Sequence, residues 1–183
     1  MSDIRTKSVK RFIRHELPEK IQKDLRLLRM VRESDLETSV YFHRRSFLAK
    51  DENWHVFARK HSKTTGHFVD LILFRRTTPR IAIELKWNQK KVHPKDHKSL
   101  KKAIRKLNVN HAYYISTIIN GEDAFAEKPI KKSIQRNSIL AIFIPPGFTD
   151  KEKYLKWRSN RKVFTSQMQK GIARHKVEKG NSK

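Results

Sequence analysis

Three ionisable residues interrupt two otherwise apolar segments of the chain. Asp70 lies within FVDLILF (residues 68–74), and Glu84 and Lys86 lie within IAIELKW (residues 81–87). Both segments are predicted to be strands, and because side chains alternate between the two faces of a strand, Glu84 and Lys86 share one face. A buried charge is costly unless it is paired or bound to a metal. These three residues therefore need a structural or a chemical reason for their positions.

Two carboxylates on neighbouring strands could hold a hard, oxygen-preferring cation such as Mg²⁺. Such a cation polarises a phosphodiester and lowers the pKa of a bound water. A lysine two residues from one ligand could orient that water and balance the developing charge. The alternative is a partly buried ion pair between Lys86 and either Asp70 or Glu84. Because all three groups occur together in a very basic chain, we favour phosphodiester hydrolysis.

The charge of the chain points to a polyanionic partner. It has 183 residues, with 43 Lys and Arg against 18 Asp and Glu, and a formal charge of +25. Nucleic acid is favoured over an anionic membrane. The excess is concentrated in residues 87–112, with eight basic residues and one acidic, and in residues 149–183, with eleven and three, whereas residues 113–148 are nearly neutral. We expect the nucleic-acid backbone to be contacted by Lys90, Lys91, Lys95, Lys98, Lys101, Lys102, Arg105, Lys156, Arg158, Arg161 and Lys162.

Composition also excludes several classes of protein. The chain has no Cys, which excludes disulfides, Cys-ligated zinc, iron–sulfur clusters and thiol catalysis. The longest clean apolar run covers residues 139–144, far short of the ~18 residues that a membrane span requires. Basic residues interrupt the N-terminus, so we expect no signal peptide and a cytoplasmic location.

The order of the predicted elements gives the fold class. Helices are predicted over residues 8–16 and 18–31, and a third begins near Ser34, where Glu37 three residues later suggests a capping box. Five strands are predicted, over residues 53–61, 68–74, 80–87, 112–119 and 138–144. Short turns connect the first three strands, which indicates an antiparallel meander. A basic helix ending near Lys106 separates the third strand from the fourth, so that pair is predicted to be parallel.

These elements predict an α/β protein with a mixed sheet of about five strands flanked by helices. Residues 1–32 are interpreted as a basic N-terminal helical arm and residues 33–148 as the core. Residues 149–183 are interpreted as a basic C-terminal helix followed by a disordered tail.

Asp70, followed fourteen residues later by Glu84-Leu85-Lys86 at the end of the next strand, resembles the PD-(D/E)XK nuclease motif. The resemblance covers roughly residues 33–119 and includes the helix–meander–helix–strand order around the motif. The proline position of the motif is Val69 here, a departure that is common in the superfamily. Holliday-junction resolvases and restriction-type endonucleases both resemble the chain at this level. The resemblance implies a restriction-endonuclease-like core and a metal-dependent DNA endonuclease.

The resemblance implies a role for each residue of the motif. Asp70 would be the main metal ligand. Glu84 would be the second ligand, assisted by the backbone carbonyl of Leu85. Lys86 would position the attacking water or help to deprotonate it. The implied cofactor is Mg²⁺, for which Mn²⁺ could substitute.

One further carboxylate is implied on the helix before the meander. Glu37 would bind metal directly or through water, and Glu33, one helical turn earlier, competes for this role. Asp96 is interpreted as an acidic residue at a helix start rather than as a catalytic residue. The implied partner is DNA, either duplex or branched, and many relatives act as homodimers.

A non-catalytic nucleic-acid-binding protein is the alternative function, either as an inactive nuclease relative or as an RNA-associated basic protein. In that case Asp70, Glu84 and Lys86 would either not converge or be locked in internal salt bridges.

Overall fold

A computed structural model describes residues 5–30, 32–49, 51–61, 68–120, 122–135 and 139–180. The chain divides into two compact units, residues 1–147 and residues 148–183. The turn predicted at residues 62–67 lies outside the described residues.

A mixed sheet of six strands forms the centre of the first unit. The strands are β1 (Trp54–His61), β2 (Phe68–Arg75), β3 (Thr78–Lys86), β4 (His111–Thr117), β5 (Ile130–Gln135) and β6 (Ile139–Ile144). Their order across the sheet is β1-β2-β3-β4-β6-β5. The first three strands form an antiparallel meander, while β3 pairs with β4 and β4 with β6 in parallel. The predicted α/β class, the meander and the parallel crossover are therefore confirmed.

The prediction of five strands is wrong, because β5 is a sixth strand at one edge of the sheet. It pairs antiparallel with β6. Its sequence, IKKSIQ, exposes Lys131, Lys132 and Ser133. An edge strand with a solvated surface lacks the apolar alternation by which a strand is recognised in a sequence.

The N-terminal helices belong to the main core rather than to a separate arm. They are α1 (Thr6–Arg11), a π-helical turn (Phe12–Glu16) and α2 (Leu17–Arg26), which follow one another without a break. Pro18 lies just after the π-helical turn, where the hydrogen-bond pattern changes from π-helical to α-helical. Their apolar side chains belong to the same buried cluster as those of the sheet: Val9, Phe12, Ile13, Leu17, Ile21 and Leu25. The basic residues that suggested an arm are on the other side of an amphipathic helix.

Helix α3 covers Glu33–Leu48 and differs from the prediction in its start. The capping residue is Asp35 rather than Glu37, since the backbone N–H of Arg32 donates to Asp35 Oδ2 at 3.1 Å. The buried stripe of α3 consists of Leu36, Val40, Arg44 and Leu48.

Helix α4 (Pro94–Lys106) connects β3 to β4 and buries Asp96, Ser99, Leu100 and Ala103. In the second unit, α5 covers Lys151–Gly180, so it continues through most of the predicted disordered tail. Residues 181–183 lie outside the described residues. The ring of Phe148 lies 5.6 Å from that of Trp157 within this unit. Across the described ranges, we find no helix with the length and apolarity that crossing a membrane requires.

Candidate active site

The pairing of β2 with β3 brings the two carboxylates of the motif together. Leu71 lies opposite Ile83 in the antiparallel register, so the next pair along the ladder places Asp70 beside Glu84 on the same face. The backbone N–H of Leu85 donates to Asp70 Oδ2 at 2.6 Å. Asp70 is therefore held against the strand that carries the rest of the motif.

Glu84 is buried, and its two carboxylate oxygens differ in their contacts. Lys86 Nζ donates to Glu84 Oε1 at 2.6 Å. Glu84 Oε2 is also buried but has no hydrogen-bond partner among the described residues. An unpaired buried carboxylate oxygen is costly in a folded protein. It is therefore a position where a cation or a proton would be favourable.

The pKa shifts show how strongly these groups interact. Burial raises the pKa of Glu84 to about 7, and the negative charge of Asp70 adds to this effect. Burial also raises the pKa of Asp70, although its bond from Leu85 and the charge of Lys86 act in the opposite direction. Burial by itself lowers the pKa of Lys86, but the hydrogen bond and charge of Glu84 outweigh it and raise the pKa above its ordinary value. The ammonium group of Lys86 is thus bonded to the buried Glu84, and its charge also acts on the half-buried Asp70.

Both helix carboxylates named by the sequence lie near this pair. The negative charges of Glu37 and, less strongly, Glu33 raise the pKa of Asp70 in addition to the effect of burial. Glu33 Oε2 accepts a hydrogen bond from the backbone N–H of Trp87 at 3.3 Å. Glu33 is thus used to hold the chain that leaves β3, while Glu37 has the stronger influence on Asp70.

Asp96 is an additional member of the site. It lies in the first turn of α4, as its helix-start interpretation requires, but it is also buried. Its Oδ1 lies 3.9 Å from Lys86 Nζ, and its charge contributes to the raised pKa of Glu84. In the sequence, this role could have been suggested by the short separation of Asp96 from Lys86, which it follows by ten residues. The distance between their side chains depends on how α4 packs against the sheet.

The segment after the motif is fixed to β4 by side-chain hydrogen bonds. Asn88 adopts a left-handed backbone conformation (φ 55°), and its Oδ1 accepts from the N–H of Ile119 at 2.9 Å. The backbone N–H of Asn88 donates to Thr117 Oγ1, and that of Gln89 donates to Ser116 Oγ. These bonds hold the end of β3 in place, and with it the position of Lys86.

The basic residues named by the sequence differ in their exposure. Those around the start of α4 and one near its end are exposed: Lys90, Lys91, Lys95, Lys98 and Arg105. Lys101 and Lys102 are half-buried. In the second unit, Lys156 and Lys162 are exposed, whereas Arg158 and Arg161 are half-buried.

The carboxylates of the site fit a metal ion that keeps part of its water shell. Within the part of the chain that the structure describes, no group of three His, Cys, Asp or Glu side chains is arranged to hold a metal on its own. Mg²⁺, however, is commonly held by one or two carboxylates, with waters and substrate phosphates as the remaining ligands. Asp70 and Glu84 provide two such carboxylates, and Glu84 Oε2 is a buried oxygen that no described residue bonds. The donor chemistry therefore fits a partly hydrated Mg²⁺.

Comparison with known proteins yields little similarity. No protein-family model matches the chain, and no curated protein matches it. One solved structure that matches is described as a refined half-complex from a tetradecameric assembly of Thermococcus gammatolerans McrB AAA+ hexamers with bound McrC, with a TM-score of 0.41 and 10% identity. The match covers 72% of this chain and 33% of that chain, so this chain spans about a third of its length. A likeness this distant assigns neither a fold family nor a function.

Proposed function

We propose that the protein is a cytoplasmic, Mg²⁺-dependent DNA endonuclease with a restriction-endonuclease-like core. The observation that carries this proposal is the convergence of Asp70, Glu84 and Lys86 at the end of β3, where one buried oxygen of Glu84 has no partner among the described residues. A buried carboxylate oxygen without a partner lowers the stability of the folded protein, and a cation bound at the site would offset this loss.

The residues of the chain have separable roles in this proposal. Mg²⁺, when bound, supplies polarisation of the scissile phosphate and a lowered pKa for the attacking water. Asp70 and Glu84 would hold it, and Glu37 would bind it directly or through water. The raised pKa of Lys86 keeps its ammonium protonated at neutral pH. Lys86 therefore orients the water and stabilises developing negative charge, which favours this role over that of a general base.

The basic surface beside the site would bind the phosphate backbone. Lys95 and Lys98 are exposed on α4, the helix whose first turn carries Asp96. We expect the double variant Lys95→Ala/Lys98→Ala to weaken DNA binding about equally for all sequences. The salt slope of binding should fall by about one for each lysine that binds a phosphate in the wild type. Fluorescence anisotropy titrations at several salt concentrations measure both effects.

A matched control for this variant is Lys20→Ala/Lys23→Ala, which removes two exposed lysines of α2. It lowers the net charge equally but leaves α4 intact. Equal losses of affinity in the two double variants would show that net charge, rather than α4, determines binding.

The ion pair between Lys86 and Glu84 favours a second candidate function. At 2.6 Å this pair has the geometry of an internal salt bridge, which is also expected in a non-catalytic nucleic-acid-binding protein. In that case the pair stabilises the end of β3, and the chain binds nucleic acid through its basic surfaces without cutting it.

A cleavage panel separates the two functions. The substrates are linear duplex DNA, supercoiled plasmid, a branched junction, single-stranded DNA and RNA. We expect at least one DNA substrate to be cut with Mg²⁺ or Mn²⁺ and none to be cut with EDTA. If every substrate is bound but none is cut with either metal, the non-catalytic function is supported instead.

A further inference from the structure

Arg44 is a fully buried cation on the helix that packs against the sheet. It lies in the buried stripe of α3 between Val40 and Leu48, at a position where helical spacing would place an apolar residue. Its side chain is 0% exposed, and none of its three guanidinium nitrogens has a hydrogen-bond partner among the described residues. Because a buried charge needs a counter-charge, Arg44 requires an explanation that the candidate active site does not provide.

Burial lowers the pKa of Arg44 to about 9, and the phenol of Tyr113 on β4 lies close enough to act against this fall. Tyr113 is 1% exposed, and its hydroxyl is also buried, without a well-formed hydrogen bond to any described residue. Burial raises the pKa of Tyr113, and the charge of Arg14, a hydrogen bond with the Arg14 side chain and the charge of Arg44 act against that rise. The phenol therefore lies within the fields of two guanidinium groups.

Arg14 and His111 lie near Arg44 and Tyr113 but closer to the surface. Arg14 Nε and His111 Nδ1 are buried atoms that no described residue bonds, although both residues are only half-buried overall. Burial lowers the pKa of His111, and the charges of Lys10 and Arg14 lower it further. Together these residues form what we call the Arg44 cluster: Lys10, Arg14, Arg44, His111 and Tyr113. Arg44 and Tyr113 form its floor, and the half-buried residues form its rim.

The Arg44 cluster is separate from the candidate active site. In the parallel register, Ile81 lies opposite His111 and Ile83 opposite Tyr113, so the cluster uses the sheet face opposite to that of Glu84. Lys86 lies opposite Ser116, three residues farther along β4 than Tyr113. At ~3.3 Å per residue, this corresponds to about 10 Å along the strand.

The chemistry of the cluster is complementary to an oxyanion. Its groups are cationic or able to donate a hydrogen bond, and Arg44 is bonded to no carboxylate within the described residues. A phosphate group carries up to about two negative charges and several acceptor oxygens, and guanidinium groups bind it in bidentate fashion. Lys10 and Arg14 are half-buried, so the rim is the side of the cluster that solvent reaches.

We propose that the Arg44 cluster is a binding site for a phosphate group, supplied either by free phosphate or by the terminal phosphate of a nucleic acid. The bound phosphate provides a counter-charge for Arg44. Binding at this site does not require that the protein cleaves DNA.

Thermal unfolding of the full chain in EDTA tests the proposal, with sodium phosphate compared against sodium chloride at equal ionic strength. We expect phosphate to raise the Tm of the wild type by roughly 5 to 10 °C when it exceeds its Kd a hundredfold, and this rise to be lost in Arg44→Met. The matched control is Arg45→Met, which removes an exposed arginine from the same helix and should keep the rise. If the rise is the same in both variants, or absent from the wild type, the proposal is overturned.

Titration calorimetry with Tyr113→Phe keeps the proposal testable if Arg44→Met does not fold. This change removes only the hydroxyl, and we expect it to weaken phosphate binding about tenfold. Unchanged affinity in this variant would overturn the assignment. Competition by 5′-phosphorylated and 5′-hydroxyl oligonucleotides then identifies the source: displacement by the phosphorylated strand alone indicates a nucleic-acid end, and displacement by neither indicates free phosphate.

Discussion

Replacing Lys86 by Ala is expected to reduce Mg²⁺-dependent DNA cleavage by about a hundred- to a thousandfold, the typical loss when one preorganised stabilising group is removed. Asp70→Asn is expected to reduce cleavage to a similar or greater extent, because it removes a carboxylate that would hold the metal. Both variants should still bind DNA in EDTA, since neither residue lies on the exposed basic surface. Single-turnover cleavage rates and anisotropy titrations measure the two properties separately.

Matched changes control for charge in these experiments. Lys23→Ala is the control for Lys86→Ala, because each change removes one positive charge. Glu19→Gln is the control for Asp70→Asn, because each removes one negative charge. Both control positions are exposed on α2. Circular dichroism should confirm that all variants are folded, because Lys86→Ala leaves Glu84 without its ammonium partner. If both active-site variants cut DNA as fast as the wild type, the endonuclease proposal fails.

Replacing Glu84 by Gln is expected to stabilise the metal-free protein at alkaline pH. The pKa of Glu84 is raised from 4.5 to about 7 in the folded protein. A carboxyl with a raised pKa contributes stability that is present below about pH 4.5 and is lost as the pH rises through about 7. At pH 8 the folded wild type therefore carries a cost of about 3 kcal/mol, which Gln removes.

Urea unfolding of both proteins in EDTA, from pH 4.5 to pH 8, measures this effect. The quantity of interest is how the difference in the free energy of unfolding changes with pH, since contributions from groups that do not interact with Glu84 largely cancel in it. We expect the variant to gain by about 3 kcal/mol relative to the wild type over this range. Saturating Mg²⁺ at pH 8 should narrow the gap by stabilising the wild type. A difference that does not change with pH would show that Glu84 is already solvated or paired in the folded state.

The motif residues are predictable from sequence because their charges interrupt apolar strands. Asp70, Glu84 and Lys86 are recognisable for this reason, and the β2–β3 register then determines that they meet. The role of Asp96 is not recognisable, because its position at a helix start already explains an acidic residue. Its approach to Lys86 results from the packing of α4, which no local pattern specifies.

The same distinction applies to the fold. The meander could be predicted from alternating apolar residues and short turns, and the crossover from the intervening helix. The edge strand β5 could not, since its side chains are largely solvated. Arg44 could not be predicted to be buried either. It lies at the helical spacing of Val40 and Leu48, but its complete burial results from the packing of α3 and not from any local pattern.

The composition of β5 has a consequence for how this chain behaves at high concentration. A terminal strand of a sheet presents backbone groups that can pair with a strand of another molecule, and this is a common route to aggregation. Lys131 and Lys132 are exposed on this strand, so a second copy approaching in register would bring like charges together and desolvate them. The lysines that make β5 difficult to recognise in the sequence thus also protect this edge of the sheet from pairing with a second copy.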